Sequence, residues 1–163
     1  MKLNFEKTHM DAVLPVKNHS NDTGMDVTSV EDIVIPARDS AVVDVGLKFA
    51  FIEEGYWVKV EGRSGLGFKH GLMPHPGIID EGYRGDAGVK LYNFTDSDYQ
   101  VCKGDRVAQF VVYKNHDVVV GEEAGKWTVK STGSKKKSTG SKKKSTGKKK
   151  PARGSKGFGS SGK

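Results

Sequence analysis

Residues 56–62 read YWVKVEG, and their alternation decides the fold. Successive side chains of an extended chain point to opposite faces, so Tyr56, Val58 and Val60 share one face while Trp57, Lys59 and Glu61 share the other. This is the pattern of a strand with one face in a core and the other toward water. Runs of the same kind recur on both sides: LNFE (3–6), DIVI (32–35), AVVDVGLKFAFI (41–52), AGVKLYNF (87–94), YQVC (99–102), RVAQFVVYK (106–114) and HDVVV (116–120). Each has strand length, and Gly, Asn, Asp or Pro separates most of them. No segment keeps a 3.6-residue period over twelve residues, so the most helix expected is a single turn near Gly65 to Lys69. Many short strands at close spacing predict an all-β sandwich or barrel.

Charge divides the 163-residue chain near residue 129. Residues 1–129 hold 14 of the 27 basic residues and all 20 acidic ones, a net charge of −6, whereas residues 130–163 hold 13 basic residues and no acidic one. The basic character of the whole is therefore a property of its tail. A body of residues 1–129 is long enough for one ordinary core. Residues 130–151 contain a seven-residue repeat, KSTGSKK, KSTGSKK and KSTGKKK, with ten lysines between Lys130 and Lys150. Like charges without apolar side chains predict a disordered linker. The one cysteine, Cys102, excludes an internal disulfide and favours a reducing, cytoplasmic compartment. Met1 to Met10 is too polar for a signal peptide, and no apolar run approaches the roughly 20 residues of a membrane span.

The densest stretch is GIIDEGYRGDAGVKLYNF, Gly77 to Phe94. Two apolar runs flank the polar turn EGYRGD, which reads as a β-hairpin with Asp80 at the end of its first strand. A carboxylate so placed can serve as a general base or can simply cap the turn. EGRSGLG (61–67) follows a strand with a guanidinium, a hydroxyl and glycine N–H groups, which suits a phosphate or merely a tight loop. DTGMDV supplies Asp22 and Asp26, and GDRVAQF places Asp105, Arg106 and Gln109 at a strand start. The chain ends in RGSKGFGSSGK, one arginine and one phenylalanine among glycines and serines.

In order, DTGMDV, GRSGLG, GIIDEGYRG, GDRVAQF and RGSKGFGSSG resemble the five motifs of the trimeric dUTP pyrophosphatase (dUTPase) family, over about Asp22 to Gly162. The resemblance implies a distorted jelly-roll β-barrel, three subunits with active sites at their boundaries, and hydrolysis of dUTP to dUMP and pyrophosphate with Mg²⁺. It implies that Asp80 activates the attacking water and that Tyr83 packs under the sugar and excludes a 2′-hydroxyl. Backbone groups of the hairpin, including Gly77, Ile79 and Gly88, would read uracil. Arg63, Ser64, Gly65 and Gln109 would hold the phosphates, and Asp26 would touch the metal through its water shell. Residues 152–163 would form a lid, with Arg153 on the γ-phosphate, Phe158 stacked on the base, and Gly159, Ser160 and Ser161 wrapping the triphosphate. The related dCTP deaminases share the barrel but need a catalytic glutamate, and GIIDEGYRG follows the dUTPase form.

Two single-residue departures stand out: Gly82 replaces a usual Asp, which should alter turn flexibility and leave catalysis in place, and Lys156 replaces a usual glycine in the arm. The lysine linker is the larger one. A flexible chain of its length spans about 26 Å, and each doubling of length costs only about 0.6 kcal/mol of closure entropy, so the lid is expected to reach its site. The same run invites two further readings, a non-specific electrostatic tether to nucleic acid and a solvated spacer.

Overall fold

The computed structural model describes residues 1–121. In chain order they form β1 (Leu3–Lys7), β2 (Met25–Thr28), β3 (Ile33–Ile35), β4 (Ser40–Ile52), β5 (Tyr56–Glu61), α1 (Ser64–His70), β6 (Leu72–Pro74), β7 (Gly77–Ile79), β8 (Asp86–Asn93), β9 (Tyr99–Val101) and β10 (Arg106–Lys114). The fold is all-β apart from α1. One four-stranded sheet runs β1-β4-β8-β6, a second runs β2-β10-β5-β7, and β3 pairs with β9, every pairing antiparallel. No helix among the described residues is long and apolar enough to cross a membrane.

The alternation of YWVKVEG appears as read: Val58 and Val60 are buried, and Trp57, Lys59 and Glu61 are partly exposed. Strand β8 alternates in the same way. Ala87, Val89, Leu91 and Asn93 face the core, and Asp86, Gly88, Lys90 and Tyr92 face away. Ile35, Phe49, Leu72, Leu91 and Phe110, from all three sheets, are fully buried, each worth about 1.5–3 kcal/mol on burial. At the centre the Phe5, Phe49 and Phe110 rings lie 4.8 to 6.0 Å apart.

Three expectations need correction. The first is the hairpin, because β7 and β8 belong to different sheets. Strand β8 takes β6 as its neighbour, with Pro74 opposite Leu91, and the His75 N–H continues the ladder to the Lys90 carbonyl at 2.7 Å. Pro76 has no N–H with which to extend it. The chain leaves β8 there and crosses to β5, setting Gly77 opposite Val60 and Ile79 opposite Val58.

The second concerns α1, which has seven residues and exceeds one turn. Lys69 and His70 complement the dipole at its last turn, and Gly71, at φ 62°, closes it by donating to Gly67 and Leu66. The third is HDVVV, which forms no strand; Val118, Val119 and Val120 are exposed. Strand β10 ends at Lys114, opposite Tyr56 where β5 begins, and a last bond from the Asn115 N–H to the Gly55 carbonyl at 2.7 Å closes the ladder before HDVVV.

Candidate functional site

One sheet collects four of the five sequence motifs. Across β2-β10-β5-β7, Asp26 pairs with Gln109 and Gln109 with Glu61, and β7, the start of GIIDEGYRG, lies beyond β5. Arg63 follows β5 in extended conformation, and Ser64 opens α1. Asp80 comes directly after β7.

Where the chain leaves β8 after His75 and crosses to β5, a cleft of about 830 Å³ opens, lined in part by Val60, His75, Gly77, Tyr83, Gly88 and Tyr92. This is within the range of pockets that take a small organic ligand. Gly77, Tyr83 and Gly88, three predicted binding residues, thus line one cavity. A β-turn closed by the Tyr83 N–H on the Asp80 carbonyl, at 2.9 Å, has Glu81 and Gly82 at its centre. Gly82 therefore stands where a turn tolerates glycine well. Glu81 ties the turn down by accepting from the Gly55 N–H at 2.8 Å.

Tyr83 is braced from both sides. Its ring meets Phe49 edge-on at 5.9 Å, and its hydroxyl donates to the Asp86 carbonyl at 3.0 Å. Burial first, and then the Asp86 carboxylate, push its phenol above the ordinary tyrosine value, which keeps that donor protonated. Gly85 permits the packing: a Cβ there would stand 2.5 Å from Tyr83 Cζ. Sequence reasoning passed over Gly85, because a glycine read as a turn residue does not reveal which ring lies across it.

The far end of the sheet is ionic. Asp26 is buried, and its two oxygens accept from Arg63 Nε at 2.8 Å and NH2 at 3.4 Å, Arg106 NH1 at 3.2 Å, and Asn18 Nδ2 at 2.8 Å. Arg63 NH1 also donates to the Arg106 carbonyl at 3.1 Å. Gln109 donates to the Gly62 carbonyl at 2.7 Å, and its side chain lies so close over Gly24 that a Cβ there would be 2.7 Å from Gln109 Cδ. Ser64 and Gly65 are exposed beside Arg63, with open space in front of Gly65. Asn18 carried no signal as a site residue in the sequence; one of its partners, Arg106, is 88 residues away in the chain.

Three of these N–H donors fall on Asp26 Oδ2 and one on Oδ1, which keeps an acceptor position. A water of a magnesium shell could donate to that position. Among the described residues no cluster of three or more His, Cys, Asp or Glu can hold a metal. Arg153, Lys156, Phe158, Gly159, Ser160 and Ser161, with the lysine repeat, lie outside the described residues.

The two ends do not meet within a chain. Asp80 is one residue past Ile79, which faces Val58, and Arg63 is three residues past Val60. Six residue levels at ~3.3 Å each place them about 20 Å apart along the sheet.

An all-β fold with a ligand-sized cleft at one end of a sheet and paired guanidinium groups at the other defines a class of proteins suited to small anionic ligands with an organic body. A family model described as dUTPase matches residues 10–142. The deoxyuridine 5′-triphosphate nucleotidohydrolase of Oryza sativa subsp. japonica is 39% identical over 124 residues, covering 76% of this chain and 70% of the relative. That of Clostridium novyi is 38% identical over 114 residues, covering 69% and 80%. A mutant dUTPase from phage phi11 of S. aureus, whose structure describes a coordinated structural Mg(II) ion, superposes with a TM-score of 0.71 at 24% identity over 77% of this chain and 99% of its own. The chain belongs to the dUTPase family.

Proposed function

We propose that this protein hydrolyses dUTP to dUMP and pyrophosphate in the cytoplasm, limiting uracil in DNA and supplying dUMP for dTMP synthesis. The observation that carries the reading is the position of Asp80 on the turn that also presents Tyr83 to the cleft. Uracil enters the cleft against backbone of Gly77, Ile79 and Gly88, and the sugar lies on Tyr83. The Asp80 carboxylate takes a proton from water as the water oxygen bonds to the α-phosphorus; the bond to the bridging oxygen breaks, and pyrophosphate leaves with its electrons. Mg²⁺ held by the substrate phosphates would supply charge that offsets theirs. Arg63, Ser64, Gly65 and Gln109 bind the phosphate chain.

The separation of Asp80 from Arg63 along the sheet supports a site built by two copies of the chain, as a homotrimer with shared sites would provide. Arg153, Phe158, Gly159, Ser160 and Ser161 complete the site as a lid. Pyrophosphate release from dUTP, dCTP, dTTP and UTP with magnesium tests the reading: dUTP should exceed the others by at least about 100-fold in kcat/KM. Comparable turnover of all four would end it. Gly85→Ala should displace Tyr83 and raise the kcat/KM for UTP relative to dUTP by about tenfold or more. An unchanged ratio, measured in the same assay, would remove sugar discrimination from Tyr83.

A further inference from the structure

Arg63 has five N–H donors, and the protein uses three of them, two on Asp26 and one on the Arg106 carbonyl. The guanidinium is therefore oriented before any ligand arrives, with two N–H groups left over. What fixes Asp26 itself decides where those two point. One of its partners is Arg106, whose side chain is 47% exposed and has room to swing toward water.

Asn18 closes this gap. Its Nδ2 donates to Asp26 Oδ2 at 2.8 Å while its Oδ1 accepts from Arg106 NH1 at 2.9 Å. A side-chain amide is suited to this task, because it donates and accepts from one planar group. A carboxylate at the same place would set two anions against each other. The loop does not depend on the amide for its path. Val16 and Asp26 form an antiparallel bridge with backbone hydrogen bonds of 3.3 and 2.7 Å, and His19 N–H donates to the Asp22 carboxylate at 2.8 Å.

We propose that Asn18 is a positioning residue: it locks Asp26 to Arg106 and thereby aims the Arg63 guanidinium at the phosphate chain. The proposal rests on the phosphate role given to Arg63 above. Without the Asn18 amide, Asp26 loses one of its constraints and can rotate, carrying Arg63 with it, and Arg106 can leave for solvent.

The test uses the full chain, with calorimetric binding of a non-hydrolysable dUTP analogue and of deoxyuridine, together with kcat and KM for dUTP. Asn18→Ala should weaken the triphosphate analogue about tenfold, the size of a lost hydrogen bond to a charged group, and leave deoxyuridine within about twofold of the parent. KM should rise about tenfold with kcat within about threefold. Asn18→Asp should lose as much or more, since it keeps the acceptor for Arg106 but turns the donor toward Asp26 into an acceptor. A merely structural role would weaken both ligands alike, and that result overturns the proposal. So does parental binding by Asn18→Ala when Arg63→Ala is impaired. Parental binding by Arg63→Ala would instead sink the phosphate reading of Arg63, and the proposal with it.

Discussion

Asp80→Asn is expected to release pyrophosphate from dUTP about 10²–10⁴-fold more slowly than the parent, the range over which a positioned general base acts. The same variant should bind a non-hydrolysable dUTP analogue within about threefold of the parent. The amide matches the carboxylate in size and shape, so the change removes basicity and charge and little else. The backbone of the turn is untouched, because the bond that closes it runs from the Tyr83 N–H to the main-chain carbonyl of residue 80. Gly77, Tyr83 and Gly88 therefore keep their places around the cleft. Removing an anion beside a triphosphate would, if anything, tighten binding. Turnover within about tenfold of the parent would mean that another group takes the proton. A parallel collapse of binding would mean that the side chain holds the cleft together and is not the base.

How far the sequence disclosed this site depended on how local each signal was. The strand at residues 56–61 is written in its own alternation, and so is β8, because burial on one face imposes a period of two. Asp80 at the end of a strand was also visible, since GII precedes it and a glycine turn follows. The pairing of that strand was not visible. A short apolar run states that it is a strand but not which neighbour it takes, and here Pro76 ends the ladder with β8 and sends β7 to β5. HDVVV has the composition of a strand, and composition alone does not supply a partner. MDVT (25–28) and LMP (72–74) are too short to show alternation, yet they become β2 and β6 through pairing. Asn18 and Gly85 were missed for a further reason. Their importance lies in a guanidinium 88 residues away for Asn18 and in a ring folded back over Gly85.

The largest expected gain comes from mixing two inactive proteins. Under the proposed roles Asp80→Asn lacks the base and Arg63→Ala lacks the phosphate clamp, so each alone should be nearly inert. On one chain these two residues stand about 20 Å apart along the β5–β7 pair, from a rise of ~3.3 Å per residue, whereas the α-phosphorus and the rest of a triphosphate are separated by only a few ångströms. With β7 in register on β5, a single copy would have to bridge that distance with one substrate. A second copy removes that need if the Arg63 end of one chain meets the Asp80 turn of its neighbour. Unfolding the two variants together and refolding them at equal amounts randomises the subunits of a homotrimer. About a quarter of the sites should then combine an intact Asp80 with an intact Arg63 from different chains, if one interface joins them in a closed ring. Activity should rise from near zero to about a quarter of the parental value per subunit, and remain absent when the variants are mixed without subunit exchange. A site contained in one chain gives the opposite result, since every copy carries one lesion and no mixture repairs it. Recovery of no activity after verified exchange would therefore return both residues to a single subunit, and would require the phosphate chain to be held by something other than Arg63.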